Sequence, residues 1–265
     1  MDGLYNDDCE KKVVFLDIDG TLVKSGSWLR EKKGIGWIDP AALESIKRAK
    51  AEGHRFGIMT GGMCPRALKI SELIGSDFGL MELGLVIYHE GRMSLTVCRE
   101  DLETLHALRE KLAPFKDSVG FSFDPNERHL LALYPERPGM SPETLSEELA
   151  KAEGAAEIMQ GFDAYYSSEA LDIVPKGVSK ASALSILVEK MGIPRHSLVG
   201  IGDSEGDVPA LVWIADGGGT AVLLSNSDAK TRKRLVGVPR VITTENAEGA
   251  GVSEFIERHL LRADR

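Results

Sequence analysis

The chain is short of positive charge. It carries 32 Lys and Arg against 41 Asp and Glu, a formal net charge of −9, so no basic excess is available to neutralise a nucleic-acid backbone, which argues against a general nucleic-acid binder. It has no run of 18 apolar residues, which excludes a transmembrane helix. The stretch Met1 to Lys12 is polar and acidic without the apolar centre of a signal peptide, and a cytoplasmic location is the expectation. Cysteine is scarce: Cys9, Cys64 and Cys98 are odd in number and widely spaced. They read as reduced thiols rather than a disulfide frame or a zinc ligand set. Internal repeats and low-complexity segments are absent as well. What remains is 265 residues with 43% hydrophobic content, enough for one large domain or for a core with a smaller insert.

The most informative stretch is Asp17-Ile18-Asp19-Gly20-Thr21, which follows the apolar run Val13-Val14-Phe15-Leu16. The run has the character of a parallel strand buried on both faces. Two carboxylates at the C-terminal tip of such a strand lie where ligands bind in open α/β sheets. Like charges this close resist joint ionisation, and a bound Mg²⁺ resolves the conflict by sitting between carboxylates and a phosphate. Asp17 is then placed to attack phosphorus and form an aspartyl-phosphate. Ser197-Leu198-Val199-Gly200-Ile201-Gly202-Asp203 repeats the pattern, and Asp203 and Asp207 flank a tight turn that enters a helix. If the two strands are neighbours, Asp17, Asp19 and Asp203 converge on one magnesium site; otherwise Asp203 and Asp207 only cap a helix. Thr60-Gly61-Gly62 ends a second strand, where a hydroxyl and close backbone N–H groups can hold a phosphate oxygen. Lys180 stands at the start of a helix, against the positive end of its dipole. An anion there would compensate, and Lys180 rather than Lys176 is the candidate to neutralise Asp17 and a transferring phosphoryl group.

Strands and helices alternate up to Tyr88 and again from Lys180, as in a doubly wound parallel sheet, a Rossmann-like α/β core. Between them, strands at Val119–Phe123, Leu130–Tyr134, Ala164–Ser167 and Leu171–Val174 and helices at Asp101–Leu112 and Pro142–Glu153 describe an inserted α+β cap with an antiparallel sheet. The expected division is a core of residues 1–85 and 170–265 and a cap of residues 86–169. A last helix is expected over Val252–Leu261, after a loop at Glu245–Gly251.

These four motifs, in this order and spacing, resemble the haloacid dehalogenase superfamily of aspartate-nucleophile phosphatases. The insert is similar to the cap of its Cof-type branch, and Thr60 to Leu68 is similar to the archaeal-type phosphoglycolate phosphatases. The resemblance implies Asp17 as nucleophile and Mg²⁺ ligand, and Asp19 as general acid and then base, with its backbone carbonyl on the metal. It implies Thr60 and Gly61 at the phosphate, Lys180 holding both phosphate and Asp17, Asp203 as the second metal carboxylate, and Asp207 supporting the metal from behind. Gly62, Leu83 and Gly206 stand where relatives have Arg, Asn and Asn. The implied partner is a small phosphorylated metabolite, with 2-phosphoglycolate first and sugar phosphates open. A phosphomutase on the same scaffold and a non-catalytic binding protein are the alternatives; a receiver-type signalling domain is disfavoured by the insert and by Asp19.

Trp28 and Trp37 are expected to pack a small hairpin beside the site, and Arg30, Lys32 and Lys33 to form a solvated turn. Asn126, Arg128 and His129 lie in a polar loop of the insert, either facing the core to read the substrate or simply exposed. His129 has no second His or Cys at ligand spacing, which disfavours it as a metal ligand.

Overall fold

The apolar run at Val13 dictates the centre of the fold. A computed structural model describes residues 11–27, 34–126, 128–167 and 169–261; Cys9, Trp28, Arg30, Lys32 and Lys33 lie outside them. The first part contains β1 (Val13–Leu16), α1 (Pro40–Ala51), β2 (Arg55–Met59), α2 (Cys64–Ile74), β3 (Phe78–Met81), β4 (Val86–His89) and β5 (Arg92–Leu95). The middle contains α3 (Arg99–Leu112), β6 (Phe121–Phe123), β7 (Leu131–Pro135), α4 (Pro142–Lys151), α5 (Ala155–Ile158), β8 (Phe162–Tyr166) and β9 (Leu171–Pro175). The last part contains α6 (Lys180–Met191), β10 (Leu198–Gly202), α7 (Val208–Asp216), β11 (Thr220–Leu223), α8 (Ala229–Arg234), β12 (Val241–Thr243) and α9 (Glu248–His259).

Among the described residues, eight strands form one sheet in the order β12-β11-β10-β1-β2-β3-β4-β5. The six strands from β12 to β3 are parallel, and the β4–β5 hairpin adds two antiparallel strands at one edge. Both faces are covered, as an all-apolar parallel strand requires. Val14 and Leu16 pack with Ile46 of α1, Ile70 of α2 and Phe255 of α9, whereas Val13 and Phe15 pack with Leu184 of α6 and Ile214 of α7. The chain leaves β1 in one direction for β2 and β3, and returns beside it at β10 to continue the other way to β12. The switch of direction lies between β1 and β10, and a crevice opens there at the strands' C-terminal ends.

The smaller sheet has the order β6-β7-β9-β8 and is antiparallel throughout. Its period-two alternation sorts side chains between two faces. Leu131, Leu133, Leu171 and Ile173 pack with Leu105, Leu108 and Leu112 of α3 and Leu145 and Leu149 of α4. Ala132, Tyr134 and Val174 point the other way, into the cluster shared with the large sheet. Sheet membership thus places 86–95 with the large sheet and 171–175 with the small one; the expected division falls at 85/86 and 169/170, although 171–174 reads among the strands of the insert. A hairpin's alternation is the same whichever sheet receives it.

Two local readings are corrected. The last helix begins at Glu248, four residues before the expected start. Glycines at 249 and 251 look like loop, but they serve close packing: a Cβ on Gly249 would lie 2.7 Å from Cβ of Asp39, the cap of α1. Tertiary contact outweighs the low helix propensity of glycine. Trp37, expected to be packed, is 48% exposed, although its backbone is held by Lys24 N–H donating to its carbonyl at 2.9 Å.

Candidate active site

The C-terminal ends of β1 and β10 deliver Asp17 and Asp203 to the crevice, and β1 and β10 pair in register from Val13/Leu198 to Leu16/Ile201. Carboxylate oxygens of Asp17, Asp203 and Asp207 lie within 4.8 Å of one another. Lys180, the first residue of α6, reaches in between: its Nζ donates to Asp17 Oδ1 at 2.7 Å and to Asp207 Oδ1 at 2.6 Å. All three side chains are buried. Ser179 caps α6, accepting from Ser182 N–H, so the lysine enters the site from a fixed helix start. Lys176, the rival, is exposed.

Asp207 is fully engaged. Besides Lys180, it accepts from Asp203 N–H at 3.2 Å, Ser204 N–H at 3.0 Å and Ser204 Oγ at 2.9 Å. It therefore ties down the turn that carries Asp203. Asp203 is oriented by Thr21, whose hydroxyl donates to Oδ1 at 3.0 Å, and by Asn226, whose Nδ2 donates to Oδ2 at 3.0 Å and to the Gly20 carbonyl at 2.8 Å. Gly20 has φ +81°, and a Cβ there would sit 2.3 Å from Asp203 Oδ2; this glycine is required both for the turn and for the carboxylate's approach.

The electrostatics follow from crowding acids in a buried place. Burial, then the charge of Asp207, push the Asp17 carboxyl well above its ordinary range, and Lys180 opposes them. Burial and Asp207 push Asp203 up to about 7, against the hydrogen bond from Thr21. Burial works against the charge of Lys180, but Asp17 and Asp207 outweigh it and raise its pKa. One lysine does not balance three carboxylates, and the donor set is all oxygen, which suits a hard divalent cation.

Thr60 is buried at the end of β2, and its Oγ1 accepts from Gly62 N–H at 2.9 Å. Asp19 lines the same crevice and is held by an arginine rather than by Lys180. Arg66 of α2 grips it with two parallel bonds, Nη1 to Oδ2 at 2.6 Å and Nη2 to Oδ1 at 2.7 Å, and also donates to the Ile35 carbonyl. A Cβ on Gly62 would lie 3.7 Å from Arg66 Nη1. Arg66, one turn into the next helix, thus brings its guanidinium beside the bare Cα of Gly62. Leu83 and Gly206 adjoin this turn: Leu83 packs 3.4 Å from the Cβ position of Gly61 and 4.0 Å from that of Gly206.

The small sheet roofs the site and encloses a cavity of about 320 Å³ lined by both units. From the roof, Arg128 donates to the Gly61 carbonyl at 2.5 Å and pairs with the buried Asp124 at 3.5 Å and Asp172 at 3.7 Å. Arg128 Nε and Asp172 Oδ1 are buried without a hydrogen-bond partner. Burial, opposed by Arg128, pushes Asp172 up to about 6. The insert loop therefore faces the core. Asp17, Asp203, Asp207 and Lys180 come together, with Thr60 and Asp19 on the same cavity. Sequence reasoning passed over Thr21, Arg66, Asn226 and Asp172; only the capping of one strand end by another reveals the first and third, and an arginine one turn into a helix carries no local signal.

An open parallel sheet with acidic ends on its two central strands, a buried lysine between them and an α+β insert define a phosphatase of the haloacid dehalogenase superfamily, Cof-type, a phosphoric monoester hydrolase. More narrowly, the sequence profile of the family described as sucrose-6F-phosphate phosphohydrolase matches residues 10–259, and the chain belongs to that family. It is similar to a phosphoglycolate phosphatase of Methanothermobacter thermautotrophicus, 25% identical over 94% of this chain and 99% of that one. It is 27% identical over 93% of its length to a chloroplastic protein of Arabidopsis thaliana named endoribonuclease YBEY, and spans about half (46%) of that protein. In fold it matches the sucrose-phosphatase of a Synechocystis species, solved with sucrose and phosphate, at TM-score 0.67 and 16% identity over 94% of this chain and 98% of that one.

Proposed function

We propose that this phosphatase is Mg²⁺-dependent and works through an aspartyl-phosphate on Asp17. The observation that carries the proposal is the meeting of Asp17, Asp203 and Asp207 around Lys180 at the β1/β10 crevice. The carboxylates of Asp17 and Asp203 and the backbone carbonyl of Asp19 would hold the ion. Bound there, it would offset the negative charge of a phosphoryl group and of the carboxylates facing it. Asp17 displaces the alcohol in line, and Lys180 spreads charge on the transferring group. Thr60 and the backbone at Gly61 bind phosphate oxygens. Asp19 protonates the leaving oxygen and then takes a proton from water; Arg66 sets its direction.

We take the insert to be the cap, running from α3 to β9, residues 99–175. Its roof is fastened to the core on two sides, by Arg128 on Gly61 and by Lys230 on Glu143 at 2.7 Å, with the Tyr166 hydroxyl donating to Glu205. Releasing and remaking these contacts would admit substrate and exclude water. Asp17→Asn tests the reading: phosphate release from p-nitrophenyl phosphate should vanish with the fold retained, and near-native rates would refute the nucleophile. Added Mg²⁺ should restore an EDTA-stripped wild type.

The archaeal relatives favour 2-phosphoglycolate as substrate. A second reading has a specific support. The cavity lining carries eight carboxylates against three cations, and Arg128 is already paired with two acids. Such a wall offers acceptors to sugar hydroxyls and repels a second anion, so a sugar phosphate fits it better on charge. The ratio of kcat/KM for hexose phosphates against 2-phosphoglycolate decides between the two.

A further inference from the structure

We propose that Cys64, Glu82 and His129 form a second metal site, for a zinc-class divalent cation, that joins the insert to the core. The three residues are far apart in sequence, and the fold brings them together: donor atoms of all three lie within 4.8 Å of one another. Cys64 opens α2, just beyond the Thr60 turn. Glu82 follows β3, in a left-handed turn with φ +50° that aims its carboxylate inward. His129 comes from the loop between β6 and β7 of the insert. Cys64 Sγ lies 3.3 Å from Glu82 Oε1, and His129 Nδ1 lies 3.3 Å from Glu82 Oε2. A tetrahedral site with zinc–ligand bonds of about 2.0–2.3 Å has ligand–ligand edges of roughly 3.3–3.8 Å; each spacing has that length but falls on a different oxygen of Glu82, so the carboxylate would bind one ion through both oxygens or after a small rotation.

The donors select the metal. Sulfur, imidazole nitrogen and one carboxylate are the set for zinc or its neighbours, and a poor one for magnesium, which takes oxygen. A thiolate and a carboxylate cancel the charge of a divalent ion in a place where Glu82 and Cys64 are both buried. His129 Nδ1 is a buried ring nitrogen with no hydrogen-bond partner, although its own backbone N–H donates to Glu82 Oε2 at 2.6 Å. The histidine side chain is 44% exposed, which provides an entry path. A thiol carries its proton at neutral pH, so one proton passes from the Cys64 sulfur to the solvent as the metal–sulfur bond forms. With three protein ligands, the fourth position is left to water or an anion. The ion would tether the cap beside the phosphate loop and hold it down.

The test is spectroscopic and does not depend on the catalytic reading. The full chain, stripped with EDTA and returned to millimolar Mg²⁺, is titrated with Co²⁺. The expected result is one equivalent bound, with a near-ultraviolet sulfur-to-cobalt band that Zn²⁺ erases and one proton released per ion. Cys64→Ser should remove the band, and His129→Ala, altering a half-exposed side chain, should weaken binding at least tenfold. Asp203→Asn and Cys98→Ser should leave the band intact. No band in the wild type, a band that survives Cys64→Ser, or unchanged affinity in a folded His129→Ala would overturn the proposal.

Discussion

Replacing Asp203 by Asn should make the metal-free protein more stable at pH 8 while abolishing its stabilisation by Mg²⁺. Burial and Asp207 hold the folded pKa of Asp203 at about 7, against 3.8 for a free carboxyl. A carboxyl raised in this way contributes stability that is fully present below about 4 and is lost as pH rises through about 7. Three units correspond to about 4 kcal/mol at most, at about 1.4 kcal/mol each. Asp17 shares the titration, so about 3 kcal/mol is attributable to this one charge. The amide oxygen of Asn can keep the bond from Thr21, but the amide nitrogen would face Asn226 Nδ2, a loss of about 1 kcal/mol. The net gain is about 2 kcal/mol, or about 4–8 °C in Tm for a chain of this size. Thermal unfolding in EDTA at pH 8 and pH 5.5 measures it; the gain should shrink at pH 5.5, where the wild-type carboxyl is protonated. With excess Mg²⁺ the order should invert, because the wild type gains by ligand binding and the variant does not. A variant no more stable than wild type at pH 8, or one stabilised by Mg²⁺ as strongly, would refute the placement of Asp203 in a crowded cation site.

Lys180→Met leaves Asp17 and Asp207 facing each other in a buried place, and should cost about 3–5 kcal/mol at pH 8 by urea unfolding; a loss under 1 kcal/mol would mean that the lysine is not the counter-ion. Arg66→Ala frees Asp19 to rotate, and should lower kcat by about 10- to 100-fold with the circular dichroism spectrum unchanged; an unaltered kcat would show that Asp19 needs no guide.

The chemistry of single strand ends was legible in the sequence. Val13 to Leu16 can only be a strand covered on both faces, and a strand tip carrying Asp17 and Asp19 before a glycine announces an anion or cation site by composition alone. The helix starts at Asp39-Pro40 and Ser179-Lys180 were equally readable, because caps act over three residues. Elements that depend on a distant partner were not. Gly249 reads as loop until α1 is seen to need its bare Cα, and the β4–β5 hairpin reads the same in either sheet. Trp37 has the composition of a packed residue and the exposure of a surface one.

Residue types and local periods thus determined the α/β class, the acidic strand tips and the lysine. Tertiary structure decided which distant groups share a volume: β10 beside β1, so that Asp203 meets Asp17; Arg66 in the space over Gly62; and Cys64, Glu82 and His129 as one cluster. Local preference acts over a few residues of chain, whereas coordination and ion pairing act over a few ångströms of space, and only the folded topology converts one into the other.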